Sequence, residues 1–76
     1  MTNPLNPTPT ARADFKRFMA VMQDFLYERG FYTQSYYVAK KSVTYAQTEK
    51  YLVTHCYNGL EAKRIITHIK RKLKII

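Results

Sequence analysis

The stretch TQSYYVAKKSVTYAQTEKYL, residues 33–52, has the outline of two short helices joined by a tight turn. Its clearest local signal is the tetrapeptide TYAQ at 44–47, which fits the capping box S/T-x-x-E/Q. In that motif the Thr44 hydroxyl accepts a hydrogen bond from the backbone N–H of Gln47, and the Gln47 side chain reaches back to the N–H of Thr44. We therefore expect a helix from residue 44 to about Tyr57. The residues placed along it are Thr48, Leu52, Val53 and Cys56.

The segment just before the capping box, FYTQSYYVAKKSV at 31–43, is ambiguous. Its content of Tyr, Phe, Thr and Val suits a β-strand. Thr33 can instead cap a short helix that runs to about Lys41, and this helix is the interpretation that we favour. The residues turned inward would then be Tyr37, Val38 and Ala39.

The strongest helical pattern lies upstream, in RADFKRFMAVMQDFLYER at 12–29. Apolar side chains recur there at i, i+3, i+4, i+7, i+10 and i+11, which makes one stripe on a helix. The stripe consists of Phe15, Phe18, Met19, Met22, Phe25 and Leu26. Gly30 follows where a left-handed C-cap favours glycine. We expect this helix to be the main core element.

The last third of the chain offers two interpretations. Asn58-Gly59 is a strong two-residue hairpin signal, so the flanking segments could pair as β-strands. However, apolar residues in LEAKRIITHIKRKLKII, 60–76, recur at helical spacing. They are Ala62, Ile66, Ile69, Leu73 and Ile76. We expect a terminal amphipathic helix, and the hairpin remains the alternative.

These elements predict an all-α domain of three to four helices containing a helix–turn–helix unit. The alternative is a winged helix or an α+β fold with a hairpin at Asn58-Gly59. With 76 residues a single domain is expected. All three prolines lie in residues 1–11, which we interpret as a flexible arm preceding one domain at 12–76.

Charge is concentrated in the second half of the chain. Residues 1–39 carry four basic and three acidic groups, a net charge of +1, whereas residues 40–76 carry nine and two, a net charge of +7. Such a field attracts polyanions, nucleic acid above all, or an anionic surface. The C-terminal cations are Lys63, Arg64, Lys70, Arg71, Lys72 and Lys74. The apolar stripe on the same helix could close the core, pair two copies in a dimer, or meet a membrane surface. No run of apolar residues is long enough to span a membrane.

The residue types needed for catalysis or metal binding are scarce. Only His55, Cys56 and His68 could join a metal site, and neighbours on a helix point about 100° apart. We expect no metal and no cofactor. The five carboxylates are scattered, and two glycines cannot make a phosphate-binding loop, so we expect no enzyme. A single cysteine cannot form an internal disulfide, which favours the cytoplasm, or a host-cell interior for a viral protein.

The run VAKKSVT at 38–44, followed by Thr48, Tyr51 and Leu52, resembles the helix-turn-helix of small transcription regulators. The turn is one residue shorter than usual and the inward position at Thr48 is polar. The resemblance implies a recognition helix in the DNA major groove, with Lys40 and Lys41 on the phosphate backbone. At the start of that helix Thr44, Tyr45 and Gln47 would face the groove. Further along, Lys50 and Thr54 would meet base edges or phosphate. Gln47 could bond adenine in a bidentate manner.

The resulting prediction is a small basic protein that binds double-stranded DNA and regulates transcription. A homodimer would match symmetric half-sites. The alternative is a small interaction protein, of the kind that viruses and mobile elements encode, which modulates a larger partner through its tyrosines. A third possibility is stacking of single-stranded bases on those tyrosines.

Overall fold

The computed structural model describes residues 9–76, with four α-helices: α1 (Pro9–Glu28), α2 (Tyr32–Lys41), α3 (Tyr45–His55) and α4 (Gly59–Lys72). No strand occurs among these residues. The all-α prediction is therefore confirmed, and the strand at 31–43 and the hairpin at Asn58-Gly59 are wrong.

Helix α1 begins at Pro9, three residues before the boundary drawn from the sequence, so 9–11 are helical and not part of the arm. Proline suits a first turn because its missing N–H would have no helical partner there. The rest of the predicted arm, 1–8, lies outside the described residues.

The end of α1 and the start of α2 form one continuous motif. Gly30 has a φ of 86°, its N–H donates to the Tyr27 carbonyl at 3.1 Å, and the Phe31 N–H donates to the Leu26 carbonyl at 2.9 Å. These two bonds make a Schellman cap and confirm the role of Gly30. Phe31 is also the N-cap of α2, without a side-chain cap bond, so the prediction that Thr33 caps this helix is wrong. Phe31 therefore belongs both to the C-terminal cap of α1 and to the start of α2, and the two helices are joined without a longer loop.

Helix α2 turns Ser35 and Val38 inward, with Ala39 partly buried. Ser35 Oγ donates to the Gln23 carbonyl at 2.7 Å, and Gln23 Nε2 donates to the Ser35 carbonyl at 3.1 Å. This reciprocal pair fixes the rotation of α2 on α1. Tyr37 is 42 % exposed, so its predicted inward position is wrong. One residue away from Val38, it points about 100° off the buried direction.

The capping box at the start of α3 forms with one shift. Thr44 Oγ1 accepts from the Gln47 N–H at 3.1 Å, as predicted, but Gln47 Oε1 accepts from the N–H of Val43 at 2.8 Å and not from that of Thr44. Thr48 is fully buried, and its hydroxyl donates to the Thr44 carbonyl at 2.9 Å. The polar residue at this inward position is thus satisfied within its own helix.

Helix α4 is capped by Asn58, the residue that could have started a hairpin. Its Oδ1 accepts from the Glu61 N–H at 2.8 Å, and its Nδ2 donates to Glu61 Oε1 at 2.8 Å. Ala62, Ile66 and Ile69 are buried as predicted.

The helix ends at Lys72, in a second Schellman cap. The Lys74 N–H donates to the Arg71 carbonyl at 3.0 Å and the Ile75 N–H to the Lys70 carbonyl at 2.8 Å. Lys74 takes the left-handed position with a φ of 59°, where glycine is usual. Because this cap reverses the chain, Ile75 packs on the core and Ile76 is 64 % exposed, so the placement of Ile76 on the apolar stripe is wrong.

The core lies between α1 and the other three helices. Helix α1 packs against α2 and α4, and α3 packs against the same two helices. Arg17 Nη2 donates to the Leu73 carbonyl at 2.6 Å, which ties the end of α4 to the first helix. The buried apolar residues are Phe18, Met19, Met22, Leu26, Val38, Leu52, Ala62, Ile66 and Ile69.

Candidate nucleic-acid interface

Helices α2 and α3 are joined by three residues, 42–44, within the range for a helix-turn-helix connection. An open depression lies beside this connection, lined by the last residue of α2 and one side of α3. It brings together four residues singled out from the sequence, namely Lys41, Gln47, Lys50 and Thr54, and adds Tyr51 and His55. The ring centroids of Tyr51 and His55 lie 4.5 Å apart, which fixes one wall. We call this set of six residues the α3 surface.

Two polar side chains of the α3 surface are partly engaged. Gln47 Oε1 accepts from the Val43 N–H at 2.8 Å, and its amide NH₂ remains open to a ligand. This bond uses one of the two lone pairs of Oε1, so a bidentate contact with adenine would have to share that oxygen with the capping bond or break it. The hydroxyl of Thr54 donates to the Lys50 carbonyl at 2.8 Å and keeps acceptor capacity.

Tyr45 does not lie on the α3 surface. Its ring makes edge-on contacts with Phe15 and Phe18, at centroid distances of 5.1 and 4.9 Å, and its hydroxyl is buried with no hydrogen-bond partner among residues 9–76. Burial raises the pKa of this phenol, and Asp14 adds to the rise. Tyr45 is therefore partly buried against the core, and its hydroxyl is covered by the protein and not presented on the surface.

Lys70 packs over Tyr45, with its Nζ 4.3 Å from the centroid of that ring. Lys40 is likewise engaged, with its Nζ 2.7 Å from the Tyr36 hydroxyl. Lys40 and Lys41 stand in the last turn of α2, within the helix that the sequence predicts to run to about Lys41. Thr44 is exposed, but its hydroxyl is used in the cap of α3.

A second open depression lies along α4. Its residues occur at i, i+1, i+4, i+5 and i+8, so they share one side of the helix. They are Lys63, Arg64, Thr67, His68 and Arg71, which we call the α4 face. Lys72 and Lys74 are exposed nearby in sequence but do not line it.

The cations of the α4 face have no anionic partner within the part of the chain described. The one ion pair formed by residues 9–76 joins Arg17 and Asp14 at 3.3 Å, on α1. From Lys63 to Ile76 there is no carboxylate side chain. The positive charge of the α4 face is therefore open to an external anion.

Other chemistry has little support in residues 9–76. No group of three or more His, Cys, Asp or Glu side chains there could hold a metal ion. Burial raises the pKa of the Cys56 thiol, which disfavours the reactive thiolate. No helix in this range is long and apolar enough to cross a membrane.

No protein-family model, curated protein or solved structure matches this chain. The resemblance to helix-turn-helix regulators thus depends on the residues and contacts described above.

Proposed function

We propose that this protein binds double-stranded DNA, with α2 and α3 as a helix-turn-helix and α3 directed at the major groove. The observation that carries the proposal is the α3 surface, where Lys41 from one helix and Gln47, Lys50 and Thr54 from the next line a single depression. An ammonium at the end of the first helix and donors along the second match the division between phosphate contacts and base contacts.

The electrostatic attraction would come mainly from elsewhere on the molecule. Helix α3 carries Glu49 and Lys50, so its own formal charges cancel when His55 is neutral. The α4 face and its neighbours add six cations, and no carboxylate side chain occurs from residue 63 onward. Phosphate neutralisation by such groups supplies most non-specific DNA affinity. In this proposal α4 holds the backbone, α3 reads the groove, and a homodimer would match two symmetric half-sites.

The direct test is fluorescence anisotropy with a labelled duplex of about 20 base pairs, enough for two half-sites. We expect binding at about 50 mM salt that weakens steeply as salt is added. The double variant Lys41→Glu/Lys50→Glu should lose most of this affinity, because both ammonium groups border the α3 surface.

A matched control is Arg12→Glu/Lys16→Glu, which makes the same change in net charge on exposed residues of α1. It should retain more affinity than the α3 variant. Absence of duplex binding by the wild-type protein at low salt would refute the proposal. Equal losses in the two variants would show that net charge alone decides binding and would remove α3 from the interface.

A further inference from the structure

The outer side of α2 carries an aromatic surface that the duplex-binding proposal does not use. Tyr32, Tyr36 and Tyr37 of α2 are 60, 58 and 42 % exposed, and Tyr27 at the end of α1 is 60 % exposed. The rings meet in two edge-on pairs, Tyr27 with Tyr32 at 4.8 Å and Tyr36 with Tyr37 at 4.9 Å. We call these four residues the tyrosine face.

The tyrosine face is held outward by the opposite side of its helix. The reciprocal bonds between Ser35 and Gln23 and the full burial of Val38 set the rotation of α2. The tyrosines therefore contribute little to the core. Clusters of exposed aromatic side chains can mark binding sites in soluble proteins.

The charge beside Tyr36 and Tyr37 is positive. Helix α2 contains no acidic residue and ends in Lys40 and Lys41. Lys40 Nζ lies 4.1 Å from the ring centroid of Tyr36 and 5.7 Å from that of Tyr37. A ligand for this face would thus combine negative charge with flat apolar groups.

We propose that the tyrosine face binds single-stranded nucleic acid, with unpaired bases stacking on Tyr32 and Tyr36 and phosphates close to Lys40 and Lys41. Aromatic rings beside a cationic track are how non-specific single-strand binders hold their ligand. A duplex hides the faces of its bases, so this ligand differs from that of the α3 surface. The inference does not rest on duplex binding.

Tyr32 and Tyr36 are one turn apart, about 6 Å along the helix axis, so their rings lie on one side of α2. Two bases of one strand could therefore each stack on one of these rings.

The test uses a fluorescein-labelled thymidine oligonucleotide of about 16 nucleotides, the upper site size for one binding module. The chain has seven tyrosines and no tryptophan, so its intrinsic emission reports tyrosine alone. We expect an anisotropy rise with the labelled strand and quenching of tyrosine emission with an unlabelled one. A strand of equal length with abasic sites throughout keeps the charge but offers no bases, and we expect it to bind more weakly and to quench less.

The decisive variants are Tyr32→Leu/Tyr36→Leu and Tyr32→Phe/Tyr36→Phe. Leucine keeps apolar bulk and favours the helix but cannot stack. We expect the Leu variant to lose about 25-fold in single-strand affinity, about fivefold for each base. The Phe variant should stay within about threefold of wild type, because the rings remain. Circular dichroism should show unchanged helicity in both.

Wild-type affinity of the Leu variant for the thymidine strand would overturn the proposal, and so would equal affinity of the wild-type protein for the abasic strand. An absence of single-strand binding would also overturn it and would leave the tyrosine face to a protein ligand. Duplex affinity should be unchanged in the Leu variant. If duplex and single-strand affinities fall together, the face is a general polyanion contact and the stacking proposal is wrong.

Discussion

The α4 face permits a quantitative prediction about salt. Lys63 and Arg71 are exposed, lie on the same side of α4, and have no carboxylate partner among residues 9–76. If each contacts one phosphate, Lys63→Gln/Arg71→Gln should reduce the slope of log K against log salt by about 1.8, since each contact contributes about 0.9. Between 50 and 200 mM salt, wild-type affinity for duplex DNA should then fall about 12-fold more than that of the variant.

The assay is the anisotropy titration on duplex DNA, repeated at four salt concentrations for each protein. Gln resembles Lys and Arg in helix propensity, so the fold should be unaffected. The control is Arg12→Gln/Lys16→Gln, which also removes one lysine and one arginine from an exposed helix surface. It should leave the slope within about 0.5 of wild type, because α1 is not in the proposed interface.

A slope that is unchanged in the α4 variant would refute the assignment of phosphate contacts to the α4 face. Equal changes in the α4 variant and the control would mean that the slope reflects the overall charge of the protein. Either result would leave duplex binding through the α3 surface to be judged by its own variants.

Three further predictions concern stability, measured by urea unfolding followed by circular dichroism. Lys74→Gly should raise the free energy of unfolding by about 0.5–1 kcal/mol, because glycine adopts the left-handed φ at the second Schellman cap without the strain that lysine has there. A loss of stability would show that the backbone at Lys74 is not strained. Ser35→Ala should lower it by about 1–2 kcal/mol, since it removes the hydroxyl bond to the Gln23 carbonyl; no change would contradict the role of this pair in holding α2. Burial raises the pKa of the Tyr45 phenol above its usual value, so the folded state keeps that proton longer than the unfolded chain. The free energy of unfolding that the protonated phenol contributes is fully present below pH about 10 and is lost as the pH rises further. Tyr45→Phe should therefore reduce the loss of stability at alkaline pH, and an identical pH profile would contradict this.

The helices could be predicted where local signals agree with one another. The apolar stripe of α1 is followed by Gly30, and both the stripe and the left-handed cap are found in the structure. Asn58-Gly59 shows how a local signal can mislead. The same asparagine that starts hairpins also caps helices, and the helical spacing that follows it, with Glu61 three residues on, decides the outcome.

The interface residues were harder to predict, because exposure depends on how the helices pack. Tyr45 occupies the first turn of α3, where a groove contact is expected, yet Phe15 and Phe18 of α1 cover it. No local pattern reveals such a contact across 30 residues of sequence. The outward direction of Tyr37 follows from the bonds between Ser35 and Gln23, which are also tertiary. By contrast, the cations of the α4 face could be placed on one side of the helix from their spacing in the sequence alone.

The bond from Arg17 to the Leu73 carbonyl joins positions 56 residues apart in sequence. Contacts of such long separation carry the largest loop-closure entropy, whereas α1 and α2 are neighbours joined by a short turn. We therefore expect the α1–α2 pair to assemble early and α4 to dock late. Until α4 docks, the apolar stripe of α1 would stay accessible to other chains, so the final docking step would govern whether the newly made protein folds or aggregates.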